Sequence, residues 1–242
     1  LQVFKKLEAE DPMLKCVWDE ELGQIHVNIM GSIQLEILKE LVEERFHYKI
    51  TFAEPEVRYK ETISGMVRGY GQFEPLRHYA EVALRLEAGE RNSGIEYSSV
   101  CHVDQLSSNY QNQIRTHVFE KEHRGILTGS PITDLKIVLE NGIAHIKHTE
   151  GGDFREAVYR AIRQALEKAE TILLEPYYAI RIESNYEYMG KILSDLTRLH
   201  GSFDTPLIEE DQITIIGRGP VAAFMNFGQE LASYTKEKEG LP

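Results

Sequence analysis

The chain of 242 residues has little cysteine, no long apolar run and no surplus of basic charge. Its only cysteines are Cys16 and Cys101, in unrelated segments. Two isolated thiols give neither a disulfide framework nor the paired spacing of a zinc site, and they fit a reducing, cytoplasmic setting. No stretch of about 18 apolar residues occurs, which excludes a membrane-spanning helix on hydropathy. No Gly-x-x-x-x-Gly-Lys-Ser/Thr run, no Gly-x-Ser-x-Gly and no His-Glu-x-x-His is present. The phosphate loop of a nucleotide hydrolase, the nucleophile elbow and the zinc-protease helix are therefore all missing. Low-complexity runs and internal sequence repeats are absent too. The opening Leu1-Gln2-Val3-Phe4-Lys5-Lys6 has neither initiator Met nor the apolar core of a signal peptide, so it reads as the interior of a longer protein.

The net charge is −12, against nucleic-acid binding if spread evenly. It is not spread evenly. Residues 1–63 hold 8 basic and 13 acidic side chains, 169–242 hold 6 and 12, but 64–168 hold 13 and 14 with six of the nine histidines. The middle is near neutral and tolerates local phosphate contacts.

What is present is a clear pattern of elements. Hydrophobic residues make up 42%, enough for packed cores. Residues 1–54 read as a helix from Val3 to Ala9, strands Leu14–Trp18 and Gln24–Ile29 joined by a turn at Asp19–Gly23, a helix capped by Ser32 and running to Phe46, and a strand Tyr48–Phe52. Ile33, Ile37, Leu38, Leu41 and Val42 form the expected buried face of that helix. Residues 55–170 read as an extended segment Val57–Ile63, a glycine-rich stretch Gly65–Gly71, strands His78–Glu87 and Ile95–Cys101, and a helix Ser107–His123 whose charged end, Glu120 to Arg124, is expected to be solvated. A strand from Ile132, a turn at Glu140-Asn141-Gly142 and a long helix from Asp153 complete this part. Residues 171–242 read as strand Tyr177–Ile182, helix Tyr186–Leu199, a hairpin of Phe203–Ile208 and Gln212–Ile216 turning at Glu209-Glu210-Asp211, and helix Val221–Tyr234. The first and last parts have the α/β-plait order of a ferredoxin-like unit, the first lacking its opening strand and the last its closing one. The class is α+β. Open strand edges at both ends carry the expectation of weak self-association.

The centre of the sequence is the strand–loop–helix from Ile132 to Lys168. Leu135, Ile137 and Leu139 alternate; Phe154, Ala157, Val158, Ala161, Ile162, Ala165, Leu166 and Ala169 recur at three and four. Asp153 is the expected N-cap, with Glu156 three residues on. Between them His145, Ile146, Lys147, His148, Thr149, Glu150, Gly151 and Gly152 form a polar tip on a rigid scaffold, where binding residues concentrate. His and Lys donate to phosphates, and imidazoles stack on unpaired bases. Arg155 sits against the helix dipole, which implies a partner: a phosphate, or Glu156 or Glu150. A metal held by His145, His148, Glu150 and Asp153 has suitable ligand types without a supporting signature. The glycine-rich stretch lacks the residues of a phosphate cradle.

Ser130-Pro131-Ile132-Thr133-Asp134-Leu135-Lys136-Ile137, Asn141-Gly142 and the run from His145 to Asp153-Phe154-Arg155 resemble domain IV of elongation factor G and its relatives, the tetracycline ribosomal protection proteins. Glu10-Asp11-Pro12, Met30-Gly31-Ser32-Ile33-Gln34-Leu35-Glu36-Ile37 and Pro55 to Ile63 resemble domain III and the start of domain IV. Gly69-Tyr70-Gly71-Gln72-Phe73 follows elongation factor G, whereas Gln34 follows the protection proteins. Leu173-Leu174-Glu175-Pro176 and Glu187-Tyr188-Met189-Gly190 resemble the junction to domain V and domain V itself. The resemblance implies two ferredoxin-like α/β-plait domains, 1–54 and 171–242, flanking a domain at 55–170 like the second domain of ribosomal protein S5. It implies domains III to V of a translational GTPase whose GTP- and Mg-binding domain is not in this sequence. It implies a ribosomal partner, with the residues from His145 to Asp153 and Arg155 at the RNA of the small-subunit decoding region. At the crest the sequence departs, Ile146-Lys147-His148 standing where the protection proteins carry a Ser-Pro-Val-type run. A stand-alone α+β protein-interaction module with acidic ends is the competing reading. Without a phosphate loop, this chain is expected to show no saturable binding when titrated calorimetrically with GTP and Mg; micromolar binding would overturn that reading.

Overall fold

The computed structural model describes residues 1–235. They fall into two compact units, Arg58–Glu175, and Leu1–Val57 with the residues from Pro176 onward. The fold is α+β, in line with the sequence pattern.

Helix α1 (Gln2–Glu10) leads through a 3-10 turn to a short hairpin, β1 (Val17–Asp19) and β2 (Gln24–His26), and then to α2 (Ile33–Phe46). Phe4, Leu7, Leu14, Cys16, Leu38 and Val42 make the core of this segment. Three expectations fail here. Ile33 and Ile37 are 61% and 56% exposed, because α1 and a two-stranded ribbon cover only the Leu38/Val42 stripe of a helix that is apolar around more than one face. Ser32 is helical in φ/ψ and makes no capping bond; the Gln34 side chain takes the Met30 N–H instead, at 2.9 Å. Tyr48–Phe52 is not a strand. No described strand lies beside it to pair with, and Ile50 and Phe52 serve only as side chains packed on the core.

In the middle unit β3 (Lys60–Ser64) pairs with a later strand, and β4 (Met66–Phe73), β5 (Ala80–Ala88) and β6 (Ile95–Ser99) belong to a four-stranded sheet. Helix α3 (Ser108–Phe119), β7 (Leu135–Ala144), α4 (Asp153–Lys168) and β8 (Glu170–Leu174) follow. The sheet order is β4-β5-β7-β6, with only β6–β7 parallel, and β8 is the partner of β3. Both helices bury their apolar faces in one core with the inward residues of the sheet. The Glu140-Asn141-Gly142 turn does not exist: β7 runs through it, and a bulge opposite Ala83 and Leu84 absorbs Glu140 as an extra residue. The bulge turns the Glu140 carboxylate toward Arg68 (2.9 Å) and Arg85 (2.7 Å). The glycine-rich stretch is β4, not a loop. A Cβ on Gly69 would sit 2.0 Å from the Ala161 carbonyl oxygen, and one on Gly71 1.7 Å from that of Ala157, so these glycines let α4 lie on the strand backbone.

The last segment contains β9 (Tyr177–Asn185), a 3-10 turn, α5 (Met189–Arg198), β10 (Ser202–Phe203), β11 (Leu207–Glu209), β12 (Gln212–Pro220), α6 (Val221–Phe224) and α7 (Phe227–Thr235). β12 is central: β9 pairs along one side, and β10 and β11 share the other. The expected strand Phe203–Ile208 is split around Pro206, which has no N–H for the ladder. The expected single helix from Val221 breaks at Met225-Asn226, and the break lets Phe224 and Phe227 both enter the core, rings edge to face at 5.3 Å. Among the described residues no helix is long and apolar enough to cross a membrane.

The packing of α4 on β4 gives a paired expectation. Gly71→Ala forces backbone apart and should cost about 1–3 kcal/mol. Gly190→Ala, inside α5 with nothing within 4 Å of the new Cβ, should be stabilising by up to about 1 kcal/mol. Urea midpoints that move equally for the two would refute the close-packing account.

Candidate nucleic-acid interface

The tip is the connection between the end of β7 at Ala144 and the start of α4 at Asp153. Its inner side is a set of hydrogen bonds. The Thr149 hydroxyl accepts from the His145 N–H (2.7 Å) and donates to the Tyr79 carbonyl (2.7 Å). The Tyr79 N–H donates to the His148 carbonyl at 3.0 Å, and the N–H groups of His148 and Thr149 both return to the His145 carbonyl. Asp153 is buried. One carboxylate oxygen accepts the Glu150 N–H at 2.8 Å, and the other lies 2.8 Å from His78 Nδ1 on the β4–β5 connection. Gly152 precedes the helix at φ 98°, a left-handed conformation suited to glycine. Asp153 is thus not the N-cap: Gly152 holds that position and Asp153 is the first helical residue, its charge aligned with the dipole together with Glu156.

The outer side is a crest. Ile146 is 101% exposed. Lys147 is exposed, and its N–H donates to His145 Nδ1 at 3.2 Å. The rings of His145 and His148 stack at 4.6 Å and 21°, with Tyr79 edge-on to His145. The crest therefore offers one ammonium, two parallel imidazoles and one bare aliphatic side chain, and can donate to phosphates and stack on bases. Of the residues singled out in the sequence, His145, Ile146, Lys147, His148, Glu150 and Gly151 face outward. Thr149, Gly152 and Asp153 are internal struts. Among the described residues no cluster of three or more His, Cys, Asp or Glu could hold a metal.

Arg155 lies elsewhere. Its guanidinium holds Glu120 at the end of α3 through two bonds of 2.7 and 3.1 Å, so its partner within the fold is Glu120 and not Glu156 or Glu150. Glu120 also accepts the Tyr159 hydroxyl and faces His117 Nδ1 at 3.2 Å. Arg155 foremost, and then Tyr159, hold the Glu120 carboxyl down at about 2. Burial and the Glu120 carboxylate push Tyr159 up to about 12. Lys121 lies over the Tyr159 ring at 3.7 Å, and buried His123 bonds the Val118 carbonyl, its ionisation pulled down by burial. Glu120, Lys121 and His123 therefore latch onto α4, while Glu122 and Arg124 are exposed, as a solvated helix end would be. Sequence reading missed His78, Tyr79 and Glu120, which lie tens of residues from their partners and carry no local signature.

With this geometry in view, comparison with known proteins is direct. Residues 55–170 match the family described as elongation factor G, domain IV, and residues 172–238 match the elongation factor G C-terminus. The chain belongs to the elongation factor G family. It is 30% identical over 240 residues to tetracycline resistance protein TetP of Clostridium perfringens, covering 97% of this chain and 37% of TetP. It is 29% identical over 249 residues to elongation factor G 1 of Syntrophomonas wolfei, covering 99% of this chain and 36% of that protein. A crystal structure of a Thermus thermophilus protein superposes with a TM-score of 0.77 at 27% identity, over 97% of this chain and 36% of that one. The chain thus spans little more than a third of the length of these relatives.

The Glu120 latch makes a pH-dependent contribution. Its carboxyl ionises lower in the folded state than the ordinary value of 4.5, so the stabilisation is complete above that value and is lost as pH falls toward about 2. Glu120→Gln should lower the urea midpoint at pH 7, and the gap from the parent chain should narrow below pH about 4.5. A gap that stays constant down to pH about 3 would remove Glu120 as its source.

Proposed function

We propose that this chain is the ribosome-binding part of a cytoplasmic translational GTPase, and that its tip enters the decoding region of the small subunit and contacts ribosomal RNA there. The observation that carries the reading is the domain IV match over residues 55–170, which includes the whole strand–tip–helix unit. The chemistry of the crest supports it. A cation and paired imidazoles on a short loop suit phosphate and base contacts, and the near-neutral middle of the chain opposes RNA far less than the acidic ends do. GTP and Mg would bind in a part of the protein outside this sequence, and this chain's share of the work is mechanical: it docks, orients and occupies space. The relatives named above include both a tetracycline resistance protein and an elongation factor, at nearly equal identity, so the proposal extends to the shared step of ribosome engagement and not to drug release or translocation.

The test uses the full exposure of Ile146. A hydroxyl-radical-generating iron chelate tethered to Ile146→Cys, in a chain also carrying Cys101→Ser, should cut ribosomal RNA in the decoding region when bound to bacterial ribosomes. Adding Lys147→Ala and His148→Ala should weaken binding while moving the urea midpoint by under about 0.5 kcal/mol, since these side chains are on the surface. Cuts confined to other regions, or binding indifferent to Lys147 and His148, would reject the tip as the contact.

A further inference from the structure

We propose that Arg160, Gln164 and Lys168 form a guard along the edge strand β4, and that this guard keeps β4 from pairing with a second copy of the chain. The strand needs one. β4 is an outer strand of its sheet and is eight residues long, so its free edge would present a row of N–H and C=O groups to any other strand. It carries Gly69 and Gly71, and glycine-rich strands specify their pairing weakly. The usual protections are missing. β4 has no proline, its ladder with β5 runs without a bulge on the β4 side, and its one charged side chain, Arg68, is held by Glu140 at 2.9 Å.

The edge is covered instead by side chains of α4. The Arg160 guanidinium donates to the Gln72 carbonyl at 2.7 Å, Gln164 Oε1 accepts the Tyr70 N–H at 2.7 Å, and the Lys168 ammonium lies 3.5 Å from the Arg68 carbonyl. Arg68, Tyr70 and Gln72 are alternate residues, and in an antiparallel ladder alternate residues turn their backbone groups to the same side. The spacing explains the fit. Four residues of helix rise about 6.0 Å and two residues of strand about 6.8 Å, so a stripe at i, i+4 and i+8 keeps step with alternate residues of a strand running the other way. Gly69 and Gly71 bring the helix close enough for these side chains to reach. Two rings steady the outer members, Arg160 over Phe73 at 5.3 Å and Lys168 over Tyr70 at 5.7 Å. Lys168 also reaches Gln164 Oε1 at 3.3 Å, which joins the stripe to itself. The core uses other positions of α4, so the stripe can be changed without touching it. Every one of these groups lies within Arg58–Glu175, and the assignment does not rest on the ribosomal reading.

The test is Arg160→Ala with Gln164→Ala and Lys168→Ala, followed by sedimentation across protein concentrations. The triple variant should self-associate at least about tenfold more tightly than the parent chain. It removes two cations from a chain of net charge −12, so overall repulsion works against this result. Arg91→Ala with Arg163→Ala removes the same charge from exposed positions off the edge and should sediment as the parent does. Hydrogen exchange locates the contact. The Tyr70 amide should exchange faster in dilute Gln164→Ala than in the parent, and in the triple variant it should regain protection as concentration rises. The single variant also decides the matter should the triple variant fail to fold. A folded triple variant that sediments as the parent does, equal association by the Arg91/Arg163 variant, or an unchanged Tyr70 amide in Gln164→Ala would each overturn the proposal. Association that leaves the Tyr70 amide unprotected would place the contact elsewhere and overturn it as well.

Discussion

The contact on which the middle unit depends is that of α4 with the backbone of β4. Small residues face each other along the line, Gly69 and Gly71 from the strand and Ala157, Ala161 and Ala165 from the helix. Interiors pack at near-crystalline density, and a gap or an added methyl here would be felt throughout the layer. Once the helix lies this close, Phe154, Val158, Ile162 and Leu166 reach the sheet, and the Gln164 side chain takes the N–H of Tyr70 at the strand edge, at 2.7 Å. The position of the helix start, and hence the tip, follows from this contact. The glycines of this stretch, which lacks the residues of a phosphate cradle, are there for a helix.

The tip divides its residues by task. Thr149, Gly152 and Asp153 satisfy backbone groups or permit a turn, and are half-buried or buried. The side chains of His145, Ile146, Lys147 and His148 are left with little structural duty beyond the His145 ring, which accepts the Lys147 N–H and stacks on His148. Substitutions in the first set remove partners of buried donors and should act through the shape of the loop. Substitutions in the second change what the loop presents while leaving the scaffold intact. A loop built this way can vary its crest without refolding its base.

Much of this was legible in the sequence, and the failures have physical causes. The apolar period of α4 is read correctly at every buried apolar position because one helix face meets one large core. The same reasoning fails at Ile33 and Ile37, because periodicity identifies an apolar stripe but not whether anything in the chain covers it. Asn141-Gly142 has the composition of a turn, but here the glycine lies within β7 with Leu106 packed against it: a Cβ on Gly142 would sit 2.6 Å from Leu106 Cδ2. Asp153 is a good N-cap residue recruited by a competing partner, His78. Arg155 shows the limit most clearly. Its unfavourable place at the positive end of a helix correctly implies a partner, but that partner, Glu120, comes from another helix and only the fold brings it near.

Asp153 and Arg155 together fix the first turn of α4 from two sides. Asp153 ties it to the β4–β5 connection through His78, and Arg155 ties it to the end of α3 through Glu120. The Asp153 tie differs from an exposed surface ion pair, whose worth is small, because its carboxylate is buried; the Arg155–Glu120 pair is exposed, and what sets it apart is that Glu120 collects donors from both Arg155 and Tyr159. Behind this turn the helix is seated on β4 through glycine and alanine, which bring the two backbones close. A load applied at the crest therefore meets two lateral braces and a close-packed seat before it reaches any flexible element. For a tip whose proposed work is to occupy a site rather than to react in it, stiffness at the base is the property that matters, and the residues that supply it are not the ones that make the contact.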